Sequence, residues 1–120
     1  MPHIHLQTTA DLPVNADLPD LLSALVDELC GQEAVQSNTV RAHHSLISNW
    51  AIGAGAPPGF AHLTVSTFQG KPMEWHKAVS AAMMKVLREH LALSLEAGEV
   101  QVTVEIREME RESYLREEPQ

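Results

Sequence analysis

The sequence predicts an α+β fold in which two helices cover one face of a single mixed sheet. Four segments have strand-like patterns, and two longer segments carry apolar residues at helical spacing. One helical segment lies between the first two strands and the other between the last two, and a glycine- and proline-rich stretch separates these halves. The predicted element order is therefore β-α-β-β-α-β, and each half is a crossover unit.

The first half begins with a strand over residues 2–7, where apolar and polar side chains alternate and Pro2 falls on the core side. A helix is expected from Leu18 to Cys30. Asp17 is an N-cap type of residue in front of it, and Pro19 is tolerated in the first turn. The apolar side chains follow at helical spacing: Leu18, Leu21, Leu22, Leu25 and Leu29.

The middle of the chain should contain two strands and the loop that joins them. Residues 39–50 are interpreted as the second strand, although Ser and Asn interrupt the alternation. Residues 53–59 hold three glycines and two prolines, which cannot continue a strand or a helix. Residues 60–68 are the third strand, in which every second side chain is apolar.

The second half continues with a long helical segment that starts near Pro72, carries apolar residues at helical spacing as far as Leu91, and is closed by Gly98. Residues 100–107 alternate between apolar and polar side chains and form the fourth strand. The remaining tail, residues 108–120, is rich in acids, so we expect it to be extended or docked on a neighbouring subunit.

The composition excludes several classes of protein. A net charge of −8 with only eight Lys and Arg argues against binding to nucleic acid or to an anionic membrane surface. No apolar run approaches the ~20 residues of a transmembrane helix, and no signal-peptide pattern is present. The single Cys30 cannot form an internal disulfide, which agrees with a reducing compartment. We expect one cytoplasmic domain over residues 1–120.

The uncovered face of the sheet predicts an oligomer. Both helices should lie on one face, and the other face is partly apolar. A small domain with few aromatic residues often gains further burial by association, and neighbouring subunits are the simplest cover for such a face.

The Met1-Pro2 start raises the possibility of an unusual base. Initiator methionine is normally removed before a small residue such as proline, which would leave Pro2 with a free secondary amine. Burial and a nearby cation both disfavour the protonated form of an amine, so this nitrogen would be a competent base at neutral pH. The alternative is that Pro2 merely starts an edge strand.

Five short motifs occur in order along the chain. They are Met1-Pro2-His3-Ile4, Ala16-Asp17-Leu18-Pro19, Val40-Arg41 followed by Trp50, Phe60-Ala61-His62-Leu63-Thr64, and Val104-Glu105-Ile106-Arg107-Glu108. In this order and approximate spacing, from Met1 to about Met109, the chain resembles the 5-carboxymethyl-2-hydroxymuconate isomerase family of the tautomerase superfamily. The resemblance implies a tautomerase-like fold, a homotrimer and catalysis by an amino-terminal proline.

The resemblance also implies site residues. Pro2 would move a proton between carbon and oxygen of an enol. Arg41 matches an active-site arginine that binds a substrate carboxylate or stabilises the developing enolate charge; alternatively it is a surface or interface salt-bridge residue. Lys71 stands where the family has an arginine, so it keeps the charge but loses the planar two-pronged donor. The tail from residue 110 onwards also departs from the family.

Two further residues complete the predicted substrate-binding set. Trp50 precedes the glycine-rich loop and either walls the pocket or seals a subunit contact, and a packing role is the alternative. His62 lies on a strand expected next to that of His3, where it is either a hydrogen-bonded sheet residue or a group near Pro2. The seven histidines show no HExxH or Cys-His spacing, so we expect no bound metal and no cofactor.

The leading hypothesis is a cofactor-free isomerase that ketonises a 2-hydroxymuconate-type dienol, such as 5-carboxymethyl-2-hydroxymuconate, in the catabolism of aromatic compounds. Its partner would be a small anionic enol or keto acid. Two alternatives stay open: a trimeric binding or structural protein of the same fold without activity, and a tautomerase for another enol such as phenylpyruvate. Lys71 and the divergent tail support the first alternative.

Overall fold

A computed structural model of the protein describes residues 2–9 and 17–119, in which four strands form one sheet and three α-helices accompany it. In chain order the elements are β1 (His3–Thr9), α1 (Leu18–Cys30), β2 (Arg41–Ile47), β3 (Gly59–Phe68), α2 (Met73–His90), α3 (Ala92–Glu96) and β4 (Val100–Met109). A short 3-10 turn, Ser37–Thr39, precedes β2. The predicted order of strands and long helices is confirmed, and α3 is an addition.

The sheet consists of two parallel pairs joined back to back, in the order β2-β1-β3-β4. β1 is parallel to β2 and β3 is parallel to β4, while the two inner strands, β1 and β3, are antiparallel. In this central pair His3 lies opposite Ser66 and Leu6 lies opposite Leu63. Each half is thus a strand-helix-strand crossover, and the start of β1 lies beside the end of β3.

Helix α1 begins and ends as its sequence predicts. The Asp17 side chain accepts a hydrogen bond from the Asp20 backbone N–H at 3.5 Å, and Pro19 occupies the first turn. Such a cap satisfies one of the donors that a helix start leaves free. Gly31 closes the helix, with its N–H donating to the carbonyl of Asp27 at 3.2 Å.

The predicted bounds of β2 and of the long helical segment are wrong, and β1 and β4 each end two residues later than predicted. β2 spans Arg41–Ile47 and not residues 39–50, because the Thr39 hydroxyl donates to the Gln36 carbonyl at 2.6 Å and holds a 3-10 turn in front of the strand. The predicted long helix is interrupted at Leu91, whose backbone angles of φ −109 and ψ 20 leave the helical region between α2 and α3.

The core lies between the sheet and the helices. Its fully buried residues from the strands are Ile4, Leu6, Ala61, Leu63 and Val65, and those from the helices are Leu21, Leu25, Leu29, Val79, Met83 and Leu87. The alternate residues of β1 and β3 stay partly exposed on the opposite face. The prediction that helices cover one face of the sheet is confirmed. Among the described helices, none has the length and apolar character that crossing a membrane requires.

The packing of β3 against the helices makes Leu63 a stability test. Replacing this fully buried side chain with alanine (Leu63→Ala) should lower the free energy of unfolding by ~2–5 kcal/mol, because the deleted methyl groups leave a cavity. Urea unfolding at a fixed protein concentration measures the change. Leu115→Ala removes the same atoms from a side chain that is 93% exposed and should change stability by less than about 0.5 kcal/mol. Equal losses in both variants would contradict the assigned core.

Candidate active site

Pro2 lies directly before β1, which is an interior strand of the sheet, and it is buried. Its carbonyl accepts a hydrogen bond from the backbone N–H of Arg41 at 3.4 Å, so it is tied to the start of β2. The interpretation of Pro2 as the beginning of an edge strand is therefore wrong. The alternation along β1 places its ring on the same side as Ile4 and Leu6, towards the helices.

A cavity of about 460 Å³ opens beside Pro2. Four other segments contribute to its wall: the stretch before β2, the end of β3, the turn after it and the segment after β4. The described polar and aromatic residues that line it with Pro2 are Gln36, Thr39, Thr67, Phe68, Lys71, Arg111, Tyr114 and Arg116. The sheet topology explains why these segments meet beside Pro2. The end of β3 lies beside the start of β1, and β4 runs parallel to β3.

The cavity is electrically positive although the chain is acidic overall. Three of the eight Lys and Arg of the chain line it, and none of its described lining residues is Asp or Glu. The net charge of −8 would repel an anion at long range, but salt screens charges beyond ~8 Å. The three nearby cations therefore dominate, and the cavity suits a small anion.

Lys71 reaches the cavity from the turn that follows β3. Gly70 provides that turn with a φ of +109°, a conformation that other residues rarely adopt. The Lys71 ammonium lies 5.0 Å from the centre of the Trp75 ring, a cation–π contact that orients it. Trp75 is itself fixed, since its indole N–H donates to the Glu33 carbonyl at 2.8 Å. With 9% of its surface exposed, Trp75 also packs in the hydrophobic core.

The segment after β4 closes the cavity from the other side. Tyr114 Oη and His3 Nε2 are hydrogen bonded at 2.8 Å, and the Tyr114 ring meets Phe68 edge-on at 5.0 Å. The Arg111 guanidinium lies over the Phe68 ring at 4.3 Å. Sequence reasoning missed these residues. The available signal was the only tyrosine of the chain, placed between two arginines in an otherwise acidic tail.

Arg41, Trp50 and His62 lie outside this cavity in the single chain. Arg41 is exposed and pairs with His3 in the register of the sheet, on the open face. The indole N–H of Trp50 donates to the Pro58 carbonyl at 3.0 Å, which fastens the loop between β2 and β3. The structure thus brings together Pro2 and Lys71 of the five predicted residues.

His62 belongs to a polar cluster on the open face of the sheet. Its ring is hydrogen bonded to Thr103 Oγ1 at 2.6 Å and to Glu105 Oε1 at 3.2 Å. Arg107 also donates to Glu105, at 3.1 Å. These hydrogen bonds from His62 and then Arg107 lower the pKa of the Glu105 carboxyl. In the described residues no group of three or more His, Cys, Asp or Glu has an arrangement suited to a metal ion.

Comparisons with known proteins agree with this geometry. The family model described as 5-carboxymethyl-2-hydroxymuconate isomerase matches residues 2–119. The crystal structure of a 5-carboxymethyl-2-hydroxymuconate isomerase from Deinococcus radiodurans R1 is similar, with a TM-score of 0.88 and 25% identity over 98% of this chain and 90% of that one. No match was found among curated proteins.

Two more distant solved structures share the fold. A 5-carboxymethyl-2-hydroxymuconate delta-isomerase has a TM-score of 0.85 at 18% identity, over 99% of this chain and 89% of its own. A wild-type fused 4-OT, described as a symmetric trimer, has a TM-score of 0.69 at 20% identity, over 91% of this chain and 86% of its own. The tautomerase-like fold expected from the sequence is confirmed.

The ring of His3 reports on the electrostatics next to Pro2. Burial, and then the Arg41 guanidinium, lower the pKa of His3 below its ordinary value of 6.5. Arg41→Gln should raise that pKa towards 6.5 without reaching it, because burial is the larger cause. An NMR titration of the histidine rings measures the shift, and Arg88→Gln, a matched change at an exposed position of α2, should leave His3 unchanged. An unaltered His3 pKa in Arg41→Gln would contradict the electrostatic contact.

The lowered pKa of His3 also determines the direction in which stability changes with pH. Since the pKa of His3 is lower in the folded protein, the unfolded chain binds more protons as the pH falls through 6.5. The free energy of unfolding should therefore decrease on acidification through this range. His5 and His44 act in the same direction, because burial also lowers their pKa values.

Proposed function

Because the chain belongs to the 5-carboxymethyl-2-hydroxymuconate isomerase family and is an isomerase with the tautomerase fold, we propose that it converts a 2-hydroxymuconate-type dienol to its 2-oxo isomer, with the Pro2 nitrogen as acid and base. One observation carries the proposal. Pro2 is buried at a cavity whose only charged lining residues, within the described chain, are cations. A sheltered amine beside cations is held in its neutral, basic form.

The proton transfer needs one base that later acts as an acid. After removal of Met1, the neutral Pro2 nitrogen accepts the proton of the 2-hydroxyl group, and the oxygen electrons form the new carbonyl. The electrons of the dienol shift along the carbon chain, and the protonated nitrogen returns the proton to a carbon atom. Atoms and electrons balance within the substrate, so the proposal includes no cofactor and no metal.

Cations bind the anionic substrate and stabilise the developing enolate. Lys71 supports this role directly, since it lines the Pro2 cavity and lies within 4 Å of no carboxylate in the described part of the chain. For Arg41 the support is its backbone contact with Pro2 and its electrostatic effect on His3. Charge-assisted hydrogen bonds to a carboxylate are stronger than neutral ones, and here they act where negative charge develops.

We further propose that the chain assembles as a homotrimer. The support is the sheet face that its own helices leave open, the presence of two edge strands, β2 and β4, and the likeness to the fused 4-OT described as a symmetric trimer. Arg41 and His62 lie on that open face. In an assembly, a neighbouring subunit would meet the site at the open face and at the loop that carries Trp50. We therefore retain Arg41, His62 and Trp50 as substrate-binding or interface residues.

The trimer is tested by mass in solution. Light scattering on the purified protein should give about three times the 13.2 kDa of the chain, because covering the open face removes apolar surface from water. The measurement should be repeated over a series of dilutions. A mass of one chain at all concentrations would contradict the assembly and, with it, the interface role of Arg41, His62 and Trp50.

The proposed role of Pro2 is tested by changing the chemical state of its nitrogen. Intact mass should show that Met1 is absent from the active protein, and turnover of 2-hydroxymuconate followed by absorbance should be Pro2-dependent. Pro2→Ala should lose about 10- to 100-fold in kcat/KM, less than removal of a general base altogether, because it leaves a primary amine in place. A variant with one retained residue in front of Pro2 should be inactive, since an amide nitrogen has no basic lone pair.

A proline distant from the cavity provides the control. Pro19→Ala changes an exposed residue in the first turn of α1 that does not line the cavity. Alanine is compatible with a helix at this position, so the activity of the variant should equal that of the wild type. Equal rates for the wild type and Pro2→Ala, or full activity with Met1 retained, would remove Pro2 from the mechanism.

A further inference from the structure

We propose that Arg111, on the segment after β4, is a substrate-binding residue of the Pro2 cavity, where its guanidinium holds a carboxylate of the substrate. The inference rests on the proposed function, because that function makes the cavity the substrate site. Arg111 lies outside the motifs that relate this chain to its family. Its role follows from three features of the structure: its place in the wall, its free donors and the way in which its segment is held.

The guanidinium of Arg111 is held in place and has N–H donors available for a ligand. It lies over the Phe68 ring at 4.3 Å, so one face of the guanidinium is covered by an aromatic ring that also lines the cavity. Stacking of this kind orients the group but leaves its N–H donors, which point outwards in its plane, available. In the described residues no carboxylate oxygen lies within 4 Å of this side chain.

The segment that carries Arg111 is fastened to the sheet. Tyr114 is hydrogen bonded to His3 at 2.8 Å and meets Phe68 edge-on. The backbone N–H of Tyr114 donates to the Arg111 carbonyl at 3.3 Å, which closes a turn. This turn therefore positions Arg111 at the cavity, directly after the strand that ends beside β3.

The other cations of the cavity differ from Arg111. Arg116 forms an ion pair with Glu118 at 3.2 Å, so part of its charge is already compensated. Lys71 is a single ammonium and comes from the turn after β3. Arg111 is thus the lining residue that offers an uncompensated two-pronged donor, and it faces the same space as Lys71 from a different segment.

Because Lys71 and Arg111 face the cavity from separate segments, a ligand with two carboxylates can be compared with a ligand of the same skeleton that has one. Hexa-2,4-dienedioate (muconate) carries two carboxylates, and hexa-2,4-dienoate (sorbate) has the same carbon skeleton with one. Neither has the hydroxyl proton of the dienol, so binding is measured without turnover. Isothermal titration of the full-length protein at low ionic strength should show that the wild type binds muconate more tightly than sorbate.

Removing one cation should affect the two ligands unequally. In Arg111→Gln the affinity for muconate should fall by about 10-fold or more, the effect expected for a lost charge-assisted pair of hydrogen bonds. Sorbate should change by less than about 3-fold, because its single carboxylate can still pair with Lys71. Arg111→Lys should recover part of the muconate affinity. Arg88→Gln makes the same charge change on the exposed surface of α2 and should bind both ligands like the wild type.

The outcomes separate this inference from the proposed function. An unchanged preference for muconate in Arg111→Gln, an equal loss in Arg88→Gln, or failure of the wild type to bind muconate would overturn the role of Arg111. Loss of the Pro2 dependence of turnover would overturn the proposed mechanism without altering the binding measurement. A wild type that binds muconate through Arg111 but shows no isomerase activity would support the anion site and contradict the dienol reaction.

Discussion

The antiparallel pairing of β1 with β3 is the constraint on which the rest of the molecule depends. With His3 opposite Ser66, the residue that precedes β1 comes to the place where β3 ends. The turn with Lys71 follows β3, and β4 delivers Arg111 and Tyr114 to the same edge because it runs parallel to β3. A shift of β1 by one residue in this register would turn Leu6 out of the core and Pro2 away from the cavity. Packing of the core and assembly of the site are therefore a single requirement.

Local chemistry made much of the fold predictable. The cap and proline before α1, the alternation in β1, β3 and β4, and the loop rich in glycine and proline are all signals carried by neighbouring residues, and the elements appear where these signals stand. The errors arose where the pattern of apolar residues carries no signal. The start of β2 depends on the Thr39 turn, and the interruption at Leu91 leaves no mark in an apolar helical pattern.

The site was only half predictable for a related reason. Pro2 lies within a motif of the family and Lys71 at a position that the resemblance also indicates, and the structure brings both to one cavity. Arg111 and Tyr114 are more than 100 positions from Pro2 along the chain, and only the pairing of strands brings them there. Arg41 and His62 lie on the face that a single chain leaves open, where a sequence pattern cannot distinguish a ligand contact from a subunit contact. The acidic composition also gave no indication of a cavity lined by cations, because net charge carries no information about where the charges lie.

The back-to-back arrangement of the two strand-helix-strand halves has a consequence for how much catalytic machinery one polypeptide can hold. The approximate twofold symmetry of the sheet relates the start of β1, beside Pro2, to the start of β3, beside the end of β1. The start of β3 lies in the middle of the chain, and the Phe60 peptide N–H there donates to the Thr9 hydroxyl at 3.2 Å. A peptide nitrogen there cannot take up a proton, whatever surrounds it. Two halves in one chain share a single amino terminus, so joining them doubles the scaffold without doubling the number of free amino groups that it can place beside a cavity.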